Sequence, residues 1–142
     1  MTIAPLPSTV VALALIPVAF LFVHAFLTGR RKSRFHPLTG ALAVGWDLSV
    51  SIGYMMFRTF GGAVNGETLQ MTPAFNLYFM VVHVPIAVVV MSLEFCVLGI
   101  GLWQLRMKES SRWHRRLTTP LFCIWWFAFL SGEILYIILY MV

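Results

Sequence analysis

The chain has 142 residues, of which 60% are hydrophobic and only 11% are charged. A soluble globular domain is about 45–50% apolar and about 25% charged, so this composition excludes a soluble protein and indicates an integral membrane protein. The formal net charge of +5 does not indicate nucleic-acid binding, because nearly all of the basic residues lie in two short connections between apolar segments.

Four apolar segments lie at about 8–28, 37–60, 77–104 and 118–141. Each is long enough to cross the hydrocarbon core, which needs about 20 apolar residues in a helix. Backbone polar groups in lipid must be satisfied within the spanning segment, so runs of this length are helices. The sequence therefore predicts one all-α integral membrane domain over residues 1–142, a four-transmembrane-helix up-down bundle without a linker.

The first segment, from Ser8 to Thr28, has no basic residue before its apolar run and four basic residues soon after it. A secretory signal peptide has the opposite order. The segment is therefore predicted to be an uncleaved helix inserted with its N-terminal end outside. Pro17 lies in its middle and should bend it, because proline frees the carbonyl one turn earlier.

Two short connections carry nine of the ten Lys and Arg residues, and both fall on one side of an up-down bundle. The positive-inside rule places that side in the cytoplasm and both chain termini outside. We therefore expect a multi-pass membrane protein, in contact with lipid and not with nucleic acid. The simplest role of these basic residues is to set the topology of the chain in the membrane, and capture of anionic lipid headgroups is the alternative. The residues are Arg30, Arg31, Lys32, Arg34, Arg106, Lys108, Arg112, Arg115 and Arg116.

Three carboxylates interrupt the apolar segments: Asp47 in the second, Glu94 in the third and Glu133 in the fourth. A charged group at the bilayer centre costs at least about 2.5–3.5 kcal/mol. Each acid is therefore predicted to be protonated, paired or turned towards a polar interior, with Asp47 and Glu133 nearest the bilayer centre. The three acids are also candidates for a proton relay, although their predicted depths differ and no helix carries more than one.

Helical periodicity groups the polar residues into faces, because positions seven or eleven apart point in nearly the same direction. The polar face of each helix should turn to the bundle interior. Small residues beside these faces, including Gly45, Gly53 and Gly99, would allow close helix approach. The predicted interior faces are His36, Asp47, Tyr54 and Arg58 on the second helix, His83 and Glu94 on the third, and Trp126, Glu133 and Tyr140 on the fourth.

Four histidines are candidate ligands of a metal or haem, because neutral imidazole is the commonest side-chain ligand of transition metals. His36 and His114 begin the second and fourth helices among arginines, where a solvated or lipid-bonded ring is the alternative. His24, in the first helix, has the same alternative. His83 lies in an apolar run and needs a metal or a hydrogen-bonding partner. Two side chains are predicted as that partner, Tyr54 and Glu133.

Haem in a bundle needs two axial ligands at one depth on facing helices. His83 has no other histidine at its predicted level, whereas His24 with His36 or His114 could hold haem in the cytoplasmic half. Copper(I) is the other candidate cofactor, since thioethers and imidazoles suit it. Filling irregular apolar gaps is the commoner role of methionine. The thioethers predicted near the depth of His83 are Met55, Met56 and Met80.

Cys96 and Cys123 are single cysteines on separate helices, without the spacing of a redox motif or a metal site. They are predicted to be buried, inert thiols, with a redox pair as the alternative. The sequence contains no acid–base pair or nucleophile constellation that identifies a reaction, so no catalytic residue is predicted.

Three short motifs occur in order along residues 30–142. The second helix opens with His36, the third carries Tyr-Phe-x-x-x-His ending at His83, and the fourth follows His114-Arg115-Arg116 with Pro120 and Trp125. In this order the chain resembles a bacterial four-helix membrane family known as domain of unknown function 420, which is found with haem-copper oxidase maturation genes.

The resemblance implies an accessory role in oxidase maturation, with haem or copper as the cofactor that the histidines would hold. Two positions depart from the family pattern. Arg58 stands where the family's Tyr-x-x-x-His motif, here beginning at Tyr54, has its histidine, and Pro37 stands where the family has arginine. If the family histidines bind a metal or haem, this chain has one ligand fewer and a fixed cation in its place.

Three functions are therefore considered. The first is a non-enzymatic accessory or assembly protein of a membrane respiratory complex, in haem-copper oxidase maturation, that packs on other subunits and holds haem or copper. The second is a constitutive small scaffold subunit of a larger respiratory or photosynthetic electron-transfer complex, to which its tryptophan-rich surface would pack. The third is a small haem- or metal-binding membrane protein with intramembrane proton-relay carboxylates.

Overall fold

The computed structural model describes residues 6–141 except 61–72, and within this part the side chains of Arg58 and residues 74–76 are not described. In the part described, four helices are long and apolar enough to cross a membrane, which confirms the predicted all-α four-helix membrane bundle. The elements are α1 (Leu6–Arg30), α2 (His36–Thr59), α3 (Pro73–Tyr78), a π-helical turn (Phe79–His83), α4 (Val84–Met107) and α5 (Arg112–Tyr140). The third span consists of α3, the π-helical turn and α4, which follow one another without a break.

Two short connections, residues 31–35 and 108–111, turn the chain back on itself. Each contains a lysine in the left-handed region, Lys32 with φ 52° and Lys108 with φ 55°. The two connections lie at the same end of the bundle, because the side chains that begin α2 and α5 meet there. We call this the basic end and the opposite one the distal end. α1 packs on α2 and α5, and α4 packs on α5 and α2.

The fourth span begins earlier than the sequence predicted. Ser111 caps α5, since its hydroxyl accepts a hydrogen bond from the backbone N–H of Trp113, and serine is a preferred residue at that position. The arginines that follow therefore belong to the helix. Pro120, which was predicted to lie in the first turn, lies inside α5 instead.

The third span departs from regular α-helix at the π-helical turn, two residues before Pro85. Proline has no N–H to bond the carbonyl four residues earlier, and its ring crowds that carbonyl. Such a wide turn is a known way for a helix to absorb the loss. The third span is therefore distorted beside Pro85, whereas α1 continues as helix through Pro17, where the sequence predicted a bend.

The core of the bundle is built around Trp125, which is 2% exposed and stacks on Phe22 of α1 at 4.2 Å between ring centres. The buried face of α5 therefore contains Trp125, whereas the sequence predicted Trp126, which is half-buried. Large apolar side chains cover the outside of the helices, as is compatible with lipid contact. The core cluster consists of Val18, Ala19, Phe22, Ala43, Val44, Leu48, Val90, Val97, Leu121 and Trp125.

The glycines do not all serve close helix approach as predicted. At Gly45, Gly53 and Gly99 an added Cβ would meet nothing within 4 Å. Close approaches occur at Gly29, Gly101 and Gly132, and at each of them the neighbour is a histidine ring. Gly101 and Gly132 were among the small residues for which close approach was predicted.

Candidate functional site

The polar side chains of the interior are grouped at three levels and do not form one continuous network. His36 and His114 meet at the basic end, and we call them the histidine pair. Asp47 and Glu94, the carboxyl pair, meet in the core. The separation of these two levels is about 16 Å along α2, from His36 to Asp47. Along α4 it is about 5–10 Å, from Glu94 to Val97 and Gly101, which contact His114, at 1.5 Å rise per residue. His83 forms the third level, about 16 Å from Glu94 towards the distal end.

The two rings of the histidine pair are each fixed by a backbone carbonyl. His36 Nδ1 lies 2.9 Å from the carbonyl oxygen of Ala25 on α1, and His114 Nδ1 lies 3.2 Å from that of Val97 on α4. A carbonyl oxygen only accepts hydrogen bonds, so Nδ1 carries the hydrogen in both rings. In a neutral ring the lone pair then resides on Nε2. Such an Nδ1–H···O=C contact is the one that orients metal-binding histidines.

Glycines of the neighbouring helices make room for both rings. A Cβ at Gly29 would lie 2.8 Å from Cε1 and 2.9 Å from Nδ1 of His36, and a Cβ at Gly101 would lie 3.2 Å from Cε1 of His114. Since real Cβ atoms do not approach below 3.0 Å, His36 can occupy its position only because residue 29 is a glycine. Both rings are half-buried, so neither is the freely solvated side chain that the sequence left as the alternative.

The spacing of the pair suits a shared metal ion. The ring centres are 5.9 Å apart and the ring planes are inclined at 69°. With nitrogen about 2.0–2.1 Å from the metal and about 1.2 Å from the ring centre, two imidazoles on one ion have centres about 5–6.5 Å apart. Among the described residues no group of three or more His, Cys, Asp and Glu side chains is placed to hold a metal. The pair would therefore supply two protein ligands.

The carboxyl pair lies inside the hydrophobic core. Asp47 is 5% exposed and Glu94 is 0% exposed. Their carboxyl groups are within hydrogen-bonding reach of each other, and the Trp125 side chain is within reach of Asp47. The sequence predicted that Asp47 and Glu133 would lie nearest the bilayer centre and that the three acids would lie at different depths in the membrane. In the structure Glu94 shares the level of Asp47, and Glu133 is half-buried nearer the level of His83.

At the third level His83 Nδ1 lies 2.9 Å from Ser131 Oγ. The serine donates its single hydrogen to the carbonyl of Ala128 at 2.9 Å, so the histidine is the donor in the first contact. A Cβ at Gly132 would lie 3.3 Å from the ring. The partner of His83 is thus Ser131, and neither of the predicted partners, Tyr54 and Glu133, fills that role.

Other predicted site residues lie apart from these levels. His24 is exposed on the outside of α1, so the structure does not bring it to the histidine pair. The hydroxyls of Tyr54 and Ser8 are 3.1 Å apart at the distal end, where Thr9 also contacts Tyr136 at 2.9 Å. The side chain of Arg58 lies outside the described part of the structure.

The methionines predicted as copper ligands lie on the outer surface. Met55 and Met56 line a shallow groove of about 570 Å³ between α2 and α4, which does not include Met80. All three are exposed. Cys96 and Cys123 are free and exposed, so the prediction that they are buried was wrong.

The predicted basic residues are exposed around the basic end. Three of them cover aromatic rings: Arg30 at 4.7 Å from the Phe26 centroid, Arg34 at 5.0 Å from that of Phe35 and Arg116 at 5.5 Å from that of Trp113. The remaining basic side chains at this end of the bundle are Arg31, Lys32, Arg106, Lys108, Arg112 and Arg115.

Sequence reasoning missed three parts of these sites: Gly29, the pairing of Asp47 with Glu94, and Trp125 beside that pair. Each depends on which helices are neighbours and on how each helix is rotated. A single chain carries no signal for these. Comparison of the chain with protein-family models, with curated proteins and with solved structures finds no match. What the three levels do must therefore be inferred from their geometry.

Proposed function

We propose that this protein is a non-enzymatic accessory protein of a membrane respiratory complex, acting in haem-copper oxidase maturation, and that it holds a transition metal at the histidine pair. The metal would be bound as haem iron or as a copper ion. The observation that carries the proposal is that the rings of His36 and His114 lie 5.9 Å apart with both Nδ1 atoms on backbone carbonyls, which leaves two Nε2 atoms as ligands.

The number of ligands supports a role in holding and passing on a metal. The two imidazoles would hold haem iron, or would supply part of the coordination of a copper(I) ion, since imidazole suits both iron and copper. When bound, either group would supply redox chemistry. No third ligand group is assembled among the described residues, so a receiving protein could complete the coordination of a copper ion.

The resemblance in the order of the histidine motifs supports the assignment to oxidase maturation. Two of the three motif histidines, His36 and His114, are the residues of the pair. We propose further that the basic end faces the cytoplasm of a bacterium and that the distal end, which carries both chain termini, lies outside, since the basic residues are concentrated at one end. The metal would then be bound near the cytoplasmic surface of the inner membrane.

Spectroscopy of the purified protein tests metal binding directly. The protein is purified in mild detergent and incubated with haem or copper(I), and visible spectra and elemental analysis are recorded after removal of the excess. We expect the wild type to retain one of the two, and His36→Ala and His114→Ala to lose it at least about tenfold. His24→Ala is the matched control, because this histidine is exposed on the neighbouring helix and should retain the cofactor.

Absence of both a Soret band and bound copper from the wild type would overturn metal binding. Equal loss of the cofactor in the His24→Ala protein would overturn the assignment of the metal to the histidine pair. The role in maturation has its own test, because deletion of the gene should lower the haem or copper content and the activity of the terminal oxidase. Normal oxidase in the deletion strain, together with fixed-stoichiometry co-purification with another complex, would favour the scaffold-subunit alternative.

A further inference from the structure

The carboxyl pair is the most deeply buried polar feature of the described structure. Asp47 from α2 and Glu94 from α4 meet within the core cluster, where Val44, Leu48, Val90 and Val97 are their apolar surroundings. Glu94 is one of the two large side chains that are completely buried. Glu94 lies one helical turn from Val97, whose carbonyl accepts from His114, but its carboxyl oxygens have no hydrogen bond to either ring of the histidine pair.

The hydrogen bonds of Glu94 are incomplete if both acids are ionised. Its Oε1 and Oε2 atoms are buried without a donor among the described residues. Buried polar atoms almost always have a hydrogen-bond partner, and each exception needs an explanation. Two ionised carboxylates in contact would also repel strongly in an apolar medium. A ligand must therefore supply a donor or a positive charge to Glu94.

The groups around the pair exclude most such ligands. α1 contributes Val18, Ala19 and Phe22 to the core, none of which is titratable, and α5 contributes Trp125. The indole has one N–H, which can donate to Asp47 but leaves Glu94 without a donor. No ion pair involving either acid occurs among the described side chains. A metal cation bound by oxygen needs about six ligands, and no group of three ligand side chains exists here.

We propose that Asp47 and Glu94 form a proton-binding site at the centre of the bundle, in which Glu94 carries a proton and donates it to Asp47. The Trp125 indole donates to the same carboxylate. One proton removes the repulsion between the acids and supplies the missing donor. A proton also needs no coordination shell, so it is compatible with an apolar surrounding that a metal cation could not tolerate. The site does not depend on a metal at the histidine pair.

Infrared spectroscopy of the purified protein in lipid tests this site. A protonated carboxyl has a C=O stretching band that is distinct from the bands of a carboxylate and shifts in ²H₂O. We expect this band to appear in the difference spectrum between wild type and the Asp47→Asn/Glu94→Gln double variant at neutral pH. Either single substitution should shift or remove it. Glu133→Gln is the matched control, and it should leave the band of the pair unchanged.

Two results would overturn the proposal. A difference spectrum that contains only carboxylate bands would show that both acids are ionised, and dependence of those bands on sodium or potassium would identify a cation site instead. A protonated band lost only in Glu133→Gln would place the proton on a different acid. Because the amide substitutions keep side-chain size and supply a hydrogen-bonding N–H₂ group, the variants are expected to fold. The carboxyl band of the wild type can also be recorded without them.

Discussion

At the basic end of the bundle, the ring of His36 packs directly against Gly29. The His36 ring lies between α1 and α2 with its Nδ1 bonded to Ala25, and it occupies the space that a side chain at residue 29 would need. The same arrangement recurs at His114 with Gly101 and, less tightly, at His83 with Gly132. Each of these interior imidazoles is thus held by a hydrogen bond on one side and by a glycine surface on the other.

Substitution of Gly29 by alanine should displace the His36 ring, because the added Cβ would lie 2.8 Å from Cε1. We expect a destabilisation of about 1–3 kcal/mol, as for overpacked cores, and about tenfold weaker retention of the cofactor, as when a group that orients a metal ligand is lost. Unfolding in mixed micelles and the visible spectrum or copper content measure the two effects.

Gly40→Ala is the matched control, since a Cβ there would make an ordinary contact at 3.9 Å with the same ring. It should be neutral or stabilising by about 0.5–1 kcal/mol, because alanine is the better helix former. Equal cofactor loss in the two variants would show that the glycine surface at residue 29 has no special role.

The packing of α1 on α5 depends on aromatic stacking. Phe22 stacks on Trp125, and Phe26 stacks on Phe122 with the same 4.2 Å between ring centres. In lipid, the apolar environment outside the protein removes most of the hydrophobic driving force, so close van der Waals contact must hold helices together. Stacked rings on successive turns supply such contact over a large area.

Phe22→Ala should therefore destabilise the bundle by about 3–5 kcal/mol, the range for truncating a buried aromatic residue. Phe20 provides the control on the same helix, because it is 73% exposed whereas Phe22 is 6% exposed. Its replacement by alanine should change stability by less than about 0.5 kcal/mol. Reversible unfolding by denaturing detergent measures both, and similar values for the two positions would contradict the packing of α1 on α5.

At the scale of the whole molecule, the polar interior is divided along the bundle axis. The histidine pair lies beside the positively charged connections, the carboxyl pair lies in the core, and His83 lies towards the distal end. The outside of the described helices is covered by large apolar side chains. A metal at the first level and a proton at the second would thus be separated by about 5–16 Å of helix, depending on the helix along which the distance is taken.

Site-directed labelling tests the proposed orientation. In a background with Cys96 and Cys123 replaced by alanine, single cysteines at Ser33 or Ser110 should react with an impermeant maleimide only in inverted vesicles. A cysteine at Thr59, at the distal end of α2, should react only in intact spheroplasts, because the positive-inside rule places the basic end in the cytoplasm. The reverse pattern would contradict the orientation.

The sequence alone was sufficient to predict the fold class and the approximate position of the four helices. Uninterrupted apolar runs of more than about 20 residues have no other stable structure in lipid. Helical periodicity also predicted correctly that Asp47 and Glu94 turn inwards. The same reasoning was less successful on α5, where the buried residue is Trp125 and not Trp126. Neighbouring helical residues point about 100° apart, and the apolar sequence of α5 does not show which of the two faces inwards.

Only the tertiary structure decided which residues meet. The sequence does not contain the rotation of each helix about its axis or the choice of neighbours, and both are set by the fit of all side chains together. That fit brought His36 to His114, Asp47 to Glu94 and His83 to Ser131, and it left His24 and the methionines outside. The sequence determined that this is a four-helix membrane protein with polar groups inside; helix packing determined that these groups form a histidine pair and a carboxyl pair.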